Sequence, residues 1–447
     1  KPARTERPSL LAAWAIRRLP TLPATINGET LLGIDQQSGR KVTLDDTDAN
    51  HHTMVLGTPG SGKTVAVLNL IESAIERALP LIVIDGKGDR ALADKVIAHA
   101  RRHGRPAYLF AMTGDSCRYN PLSSGGHSAR KDRIIELRDW SEDHYRKLAE
   151  GYLQMVFKVL DACGIKTDLV TLAGYLSTDR LQALIRKRER RLGNAAMALA
   201  EEVDEQVEAE RQAEGLRAEV RNLARSEIGP LFDTTAKESG DDVTLPAVLE
   251  LPKAIAEKAV VYFCLPALQF PALAKTFGKV VINDLKAAAH DQFVRTGEAR
   301  PIYTVFDEFS VFAGEQVINV VNQGRGFGIH AVLATQSVAD LGRATPDTPD
   351  HFTRQVLSAC NTYLVHRLNA PEDATQVAEL IGTKDGIEHT AQIDMIGATG
   401  LGSVRRTKGF IVHPDVIKQL RRGEAVFVNK NSGQVLRIRV RLGQIGR

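Results

Sequence analysis

Eight consecutive residues, Gly57, Thr58, Pro59, Gly60, Ser61, Gly62, Lys63 and Thr64, match the spacing G-x-x-x-x-G-K-[ST]. Each residue type there has a chemical task. The glycines let successive backbone N–H groups curl inward around phosphate oxygens. A helix starting at Thr64 offers its positive end to the same anion. Lys63 then reaches the β- and γ-phosphates, and the Thr64 hydroxyl sits on Mg2+. A glycine-rich turn with no ligand is the plain alternative, and the full pattern between a strand and a helix argues against it. The chemistry implied is that of ATP with Mg2+.

A second set of residues ends short apolar runs. Ile302-Tyr-Thr-Val-Phe-Asp307-Glu308 reads as a strand that delivers an acid to the Mg2+ shell, the next residue pointing at the attacking water. Asp307 is assigned to Mg2+ and Glu308 to the general base; two solvated acids at a strand end are the ordinary alternative. Ala331-Val-Leu-Ala-Thr-Gln336 ends in an amide that would sense the γ-phosphate or orient water, or would be a turn residue only. Just before it, Asn322-Gln-Gly-Arg325-Gly-Phe-Gly328 is a flexible, close-approach loop. Arg325 could act there across a subunit interface, a role worth about 10³–10⁵ in rate where it occurs, or be a surface arginine. Asp85, in Asp85-Gly-Lys-Gly-Asp89, stands at the carboxyl end of an apolar run, where parallel sheets bind ligands. It either supports the phosphate loop, contacts metal, or shapes a tight acidic turn.

Basic residues form three groups: Arg186–Arg191, then Arg405, Arg406 and Lys408, then Arg437, Arg439 and Arg441. Phosphate binding is one reading of each. A solvated helix face is the default for the first, because Glu201–Glu210 follows closely. The third alternates with Leu436, Ile438, Val440 and Leu442, so the strand Val435–Leu442 should be basic on one face and apolar on the other. Among twelve histidines, His99 and His103 have the i, i+4 spacing of a helical metal pair, but no Glu follows His99 and a helix end is the better reading.

The elements that must position these residues are readable in outline. Residues 51–122 alternate apolar strands with amphipathic helices, which implies a parallel α/β sheet. Leu31–Ile34 and Lys41–Leu44 flank a turn and read as a hairpin; Asp45–His51 reads as a polar loop. From Trp140 to about Ile228 the periodicity is helical and highly charged, and the α/β pattern resumes at Val260. The 447 residues carry 58 Lys and Arg against 54 Asp and Glu, a formal charge of +4, so any nucleic-acid surface is a local patch. With 43% apolar and 25% charged residues the chain can bury a large core, which excludes disordered and fibrous classes. Aromatics are 5%, which argues against a chain built on base-stacking platforms. No apolar run approaches the roughly 20 residues of a membrane helix, and no leader pattern follows Lys1. Four scattered cysteines, Cys117, Cys163, Cys264 and Cys360, fit a reducing compartment.

The order Gly57–Thr64, Asp85–Asp89, Tyr119-Asn-Pro-Leu122, a helical insertion, Val305–Phe309, Gly324–Ile329 and Leu333–Gln336 resembles the type IV secretion coupling proteins. These are the TraD/TraG-like ATPases of bacterial conjugation, relatives of the FtsK and HerA motors. The resemblance spans residues 30–445. It implies an α/β, RecA-like P-loop NTPase domain over 51–124 and 246–447, an inserted all-α domain over 125–245, and an N-terminal segment with a hairpin over 1–50. It also implies a homo-hexamer at the cytoplasmic face of the bacterial inner membrane. Expected partners are single-stranded DNA without sequence preference, a relaxase or effector proteins docked on the all-α domain, and components of the secretion channel. An arginine at the position of Arg325 would serve the neighbouring subunit's nucleotide. Alternatives are a recruitment platform in which ATP drives assembly only, and an FtsK-like double-stranded DNA pump.

Overall fold

The computed structural model describes residues 8–446 apart from 139, 141, 237–245, 313, 343–348 and 395–396; of the side chains of 315–316, 349–350 and 387–405 nothing is described. The chain divides into two units, Lys1–Ser73 with Val332–Arg447, and Ala74–Ala331.

The first unit opens with a helix, Leu10–Arg18, capped by the Ser9 hydroxyl, which accepts from Ala12 N. Strands β1 (Thr25–Ile26), β2 (Glu29–Asp35), β3 (Lys41–Leu44) and β4 (Thr53–Leu56) follow. β2 and β3 pair antiparallel, as the hairpin reading expects. Asp35 closes their turn by accepting from Ser38 N at 2.8 Å. The polar stretch after β3, expected to be a loop, contains a one-turn helix, Asp46–Ala49. Asp45 caps it by accepting from Asp48 N at 2.7 Å, the local bond that short polar side chains favour. β4 is buried along its whole length and runs into the phosphate loop and the helix Lys63–Glu76.

The second unit holds β5 (Leu81–Asp85), β6 (Ala107–Ala111), β7 (Arg118–Tyr119), β8 (Val248–Leu249), β9 (Val260–Cys264) and β10 (Ile302–Asp307). Its main strands lie in the order β10-β5-β9-β6, all parallel. Their continuous apolar runs suit a sheet covered on both faces. Helices Arg90–Arg102 and Pro271–Thr296 connect them. Between β7 and β8 the described residues form seven helices from His127 to Arg225 and a single 3-10 turn. The last part of that helical stretch is divided among helices Ala195–Asp204, Val207–Gln212 and Glu214–Arg225. Phe232, at the end of this stretch, joins Phe110, Phe263 and Phe277 in one aromatic core; Phe110 and Phe277 stack at 4.6 Å. Tyr119 of the Tyr-Asn-Pro-Leu motif donates to Asp284 at 2.7 Å, and Arg133 lies 3.3 Å from the same carboxyl. Burial outweighs Arg133 there and lifts Asp284 to about 6.

β11 (Ile329–Thr335) carries the chain back to the first unit, which is completed by β12 (Thr362–Val365), β13 (Thr383–Asp394), β14 (Gly397–Phe410), β15 (Glu424–Asn429) and β16 (Gln434–Val440). β4 is flanked by parallel β11 and β12. Beyond β12 the order β15-β16-β2 is antiparallel. The long hairpin β13–β14 has no counterpart in the sequence reading: its strands lack the apolar alternation that a half-buried strand shows. Among the described residues no helix is long and apolar enough to cross a membrane.

Candidate nucleotide site

In the first unit the parallel strands bring their carboxyl ends together round residues 57–64. His366, one residue past β12, donates its N–H to Leu56 O at 2.8 Å. Thr58 donates both its N–H and its hydroxyl to Arg367 O, each at 3.0 Å. The far arm is held from the start of β15, where Gly423 N donates to Ser61 O at 2.9 Å. Gly57 N donates to Thr335 O at 3.3 Å, so Gln336, the next residue, follows directly on the loop's neighbour strand, half-buried. Gly62 has φ 113° and a Cβ there would stand 2.9 Å from Gly423 N, so only glycine fits. Lys63 is 5% exposed and begins the helix, whose first N–H groups supply the anion pocket expected of this motif.

His366 was not singled out by its sequence. It is fully buried, its Nδ1 lies 2.9 Å from Glu424 O, and burial followed by the Lys63 charge drives it down to about 4 against the pull of that carbonyl. It is therefore a neutral imidazole packed on the loop.

In the second unit β5 and β10 pair in register, so Asp85 and Asp307 end neighbouring strands. Asp85 is fully buried and organises its own turn: it accepts from Lys87 N at 2.8 Å, Asp89 N at 3.0 Å and the Tyr262 hydroxyl at 3.0 Å. Burial and then the Asp307 charge raise its pKa, while those three donors oppose the rise. Of the readings open for Asp85, the acidic turn is the one its contacts display. The same turn projects Lys87, another residue the sequence reading passed over. Its amino group lies 3.3 Å from Asp307 and 3.7 Å from Glu308, on a side chain 36% exposed. Glu308 has φ 58° and ψ 54°, the left-handed region that costs a non-glycine residue about 1–3 kcal/mol and clusters at functional sites.

Arg325 is exposed on the one-turn helix Gly324–Phe327. Gly328 ends that turn at φ 83°, where a Cβ would meet Arg300 O at 2.2 Å. His103 closes its helix by pairing its Nδ1 with the His99 carbonyl at 3.0 Å, a structural role.

The basic strand needs correction. Arg441 is 1% exposed and pairs with Glu72 at 2.9 Å, Asn69 Oδ1 at 2.8 Å and Leu22 O at 2.9 Å. Arg437 is largely buried and paired with Glu424 at 2.7 Å. Neither arginine is placed to meet DNA, because each is already spent on a carboxylate inside the unit. Arg439, half-buried, donates to Arg422 O at 2.8 Å. Arg406 and Lys408 are exposed on β14; the Arg405 side chain lies outside the described residues.

The chain is similar to several known proteins. A family model described as the TraM recognition site of TraD and TraG matches residues 301–422. A second, the FtsK/SpoIIIE family, matches residues 20–100. The type 4 coupling protein DotL of Legionella pneumophila subsp. pneumophila is 22% identical over 380 residues, 73% of this chain and 48% of DotL. The chain thus spans about half the length of that curated relative. Among solved structures, the bacterial conjugative coupling protein TrwBdeltaN70 aligns with TM-score 0.61 at 10% identity, covering 93% of this chain and 89% of TrwB. TrwB in complex with ADP and Mg2+ aligns with TM-score 0.58 at 13% identity, covering 90% and 88%. VirB4 of Thermoanaerobacter pseudethanolicus aligns at 0.51 with 15% identity, covering 94% and 98%. The fold is shared with the solved TrwB structures, and the chain is similar to type IV coupling proteins in sequence as well.

Proposed function

We propose that the chain is the nucleotide-driven part of a type IV coupling protein. It hydrolyses ATP to recruit, and help pump, relaxase-bound single-stranded DNA or protein substrates into a secretion channel during conjugation. The observation that carries this reading is the complete Gly57–Thr64 loop, fastened on both arms with Lys63 buried at a helix start. TrwB, which shares the fold, has been crystallised with ADP and Mg2+ and with ATP and GTP analogues.

Lys63 holds the β- and γ-phosphates, Glu308 takes the proton of the attacking water, Gln336 orients that water, and Arg325 acts on a neighbouring subunit's nucleotide in a hexamer. Mg2+ would be held by the Thr64 hydroxyl and the Asp307 carboxylate, where it would neutralise charge developing on the phosphates. The second unit bears on the fit: Asp307 and Glu308 already draw one cation to themselves, the ammonium of Lys87. Mg2+ characteristically takes one or two protein carboxylates and completes its shell with phosphate and water. Glu308 in a strained conformation favours turnover over assembly alone, since a scaffold has no use for a costly backbone at that residue. Arg405, Arg406, Lys408 and Arg439 are the DNA contacts retained, the helices of 127–225 the docking surface for relaxase or effectors, and the cytoplasmic face of the inner membrane the place of action.

ATPase rate against protein concentration, with and without single-stranded DNA at low and moderate salt, tests the proposal. A rate rising steeply with concentration and stimulated by DNA supports a shared-site motor. A flat, DNA-independent rate overturns the motor and leaves a recruitment platform.

A further inference from the structure

Two buried polar atoms of the first unit, Ser61 Oγ and His366 Nε2, have no hydrogen-bond partner among the described residues. The two side chains meet at the first glycine of the phosphate loop: a Cβ built on Gly57 would stand 2.6 Å from Ser61 Oγ and 2.7 Å from His366 Cβ. The Glu424 carbonyl can only accept, so the 2.9 Å contact puts the ring proton on Nδ1 and leaves a bare lone pair on Nε2. Cε1 of the same ring is 3.6 Å from a Cβ built on Gly62. The ring thus runs under the loop from its first glycine to its last, with its acceptor edge buried. Native folds keep few acceptors in that condition, and each calls for a donor or a function. Ser61 is the donor at hand. Its backbone is pinned by Gly423, yet it stands between Gly60 at φ 75° and Gly62 at φ 113°, which let its peptide turn.

We propose that His366 is a positioning residue of the phosphate loop, whose Nε2 accepts the Ser61 hydroxyl proton in a hydrogen bond when the phosphates of a nucleoside di- or triphosphate seat above it. This rests on the nucleotide-binding reading. Phosphate draws the loop N–H groups inward and turns Ser61; the imidazole locks the turned loop against Glu424 at the head of β15. Nucleotide occupancy is thereby felt at the β12–β15 corner.

The test is a double-mutant cycle on the full chain, read as ADP affinity with Mg2+. His366→Asn keeps an N–H for the Glu424 carbonyl and lacks Nε2; Ser61→Ala lacks the hydroxyl. Each single variant should weaken ADP by about three- to tenfold, the worth of one hydrogen bond. The double variant should bind no worse than the weaker single. Imidazole nitrogen NMR gives a reading that a merely structural role would not move, and it does not depend on the Asn variant folding. An Nδ1–H tautomer resonance should shift on adding ADP to the natural chain and stay still in Ser61→Ala. Additive costs, unchanged affinity in either single variant, or a resonance indifferent to ADP overturn the proposal. Failure of the natural chain to bind ADP is a different result, which removes the nucleotide reading and this proposal with it.

Discussion

In the first unit the phosphate loop is held almost wholly by backbone. Leu56, Ser61 and Arg367 accept N–H groups from His366, Gly423 and Thr58 at 2.8 to 3.0 Å, and glycines stand where a side chain would collide. In the second unit the acids of β10 are held by charge. Lys87 leans on Asp307 and Glu308 from a half-exposed position, and Glu308 itself sits in strained backbone. The cradle's anchors on β4, β12 and β15 belong to the sheet and hold their places before and after a ligand arrives, so that only the short stretch round Ser61 has room to turn. A carboxylate pair that shares a single half-exposed ammonium keeps a net negative charge and can take up another cation. The first region is built for binding, the second for a change of state.

The sharpest way to break this contrast is Lys63→Ala. Nucleotide binding measured by titration should fall beyond detection and turnover should vanish; ordinary turnover would mean the loop is only a turn. Glu308→Gln should leave ATP bound and cut the single-turnover rate by about 10²–10⁴. A loss well below that range would make the strained acid a bystander. Stability divides the regions as well. Arg441→Met leaves Glu72 buried without its partner on the helix that follows the loop, and should cost about 3–5 kcal/mol in urea unfolding.

His366 adds a pH signature. Its ring falls from 6.5 to about 4 in the fold, so between those values the unfolded chain binds the extra proton. Stability is whole above about 6.5 and is lost as pH drops toward 4, by up to about 3 kcal/mol. His366→Asn should remove that slope when unfolding is compared at near-neutral and mildly acid pH. The smallest effect is expected at Lys87. Lys87→Met should change stability by no more than about 0.5 kcal/mol, and should strengthen Mg2+-dependent ADP binding by up to about fivefold, the worth of an exposed ion pair. A large loss of stability there would show that the second region is as rigid as the first.

How far the sequence carries is best seen at particular residues. The strand before Gly57 and the helix from Lys63 were readable because an apolar run, glycines and helical spacing are local signals. So was β10 with its terminal Asp307. Arg441 was misread. Alternation places Arg437, Arg439 and Arg441 on one side of a strand, but it says nothing about what covers that side. Here Asn69 and Glu72, some 370 residues away in the chain, cover Arg441, just past the end of β16. His366 carried no signal, since a single histidine after an apolar run is compatible with any core. Lys87 was visible only as a letter inside an acidic turn.

The chain's residue order alone determined that a phosphate loop exists, that two acids follow a buried strand, and that a helical stretch separates the two halves of an α/β pattern. Those features are fixed by neighbours within a few residues, where backbone geometry and hydrophobic period act directly. Only the tertiary structure decided that a histidine underlies the loop, that Arg437 and Arg441 face carboxylates and not solvent, and that Lys87 stands at the acids of β10. His366, Arg441 and Lys87 depend on which distant strand or helix lies alongside, and Arg437 on its neighbour across the β15–β16 pair; none of these partners leaves a mark in local spacing.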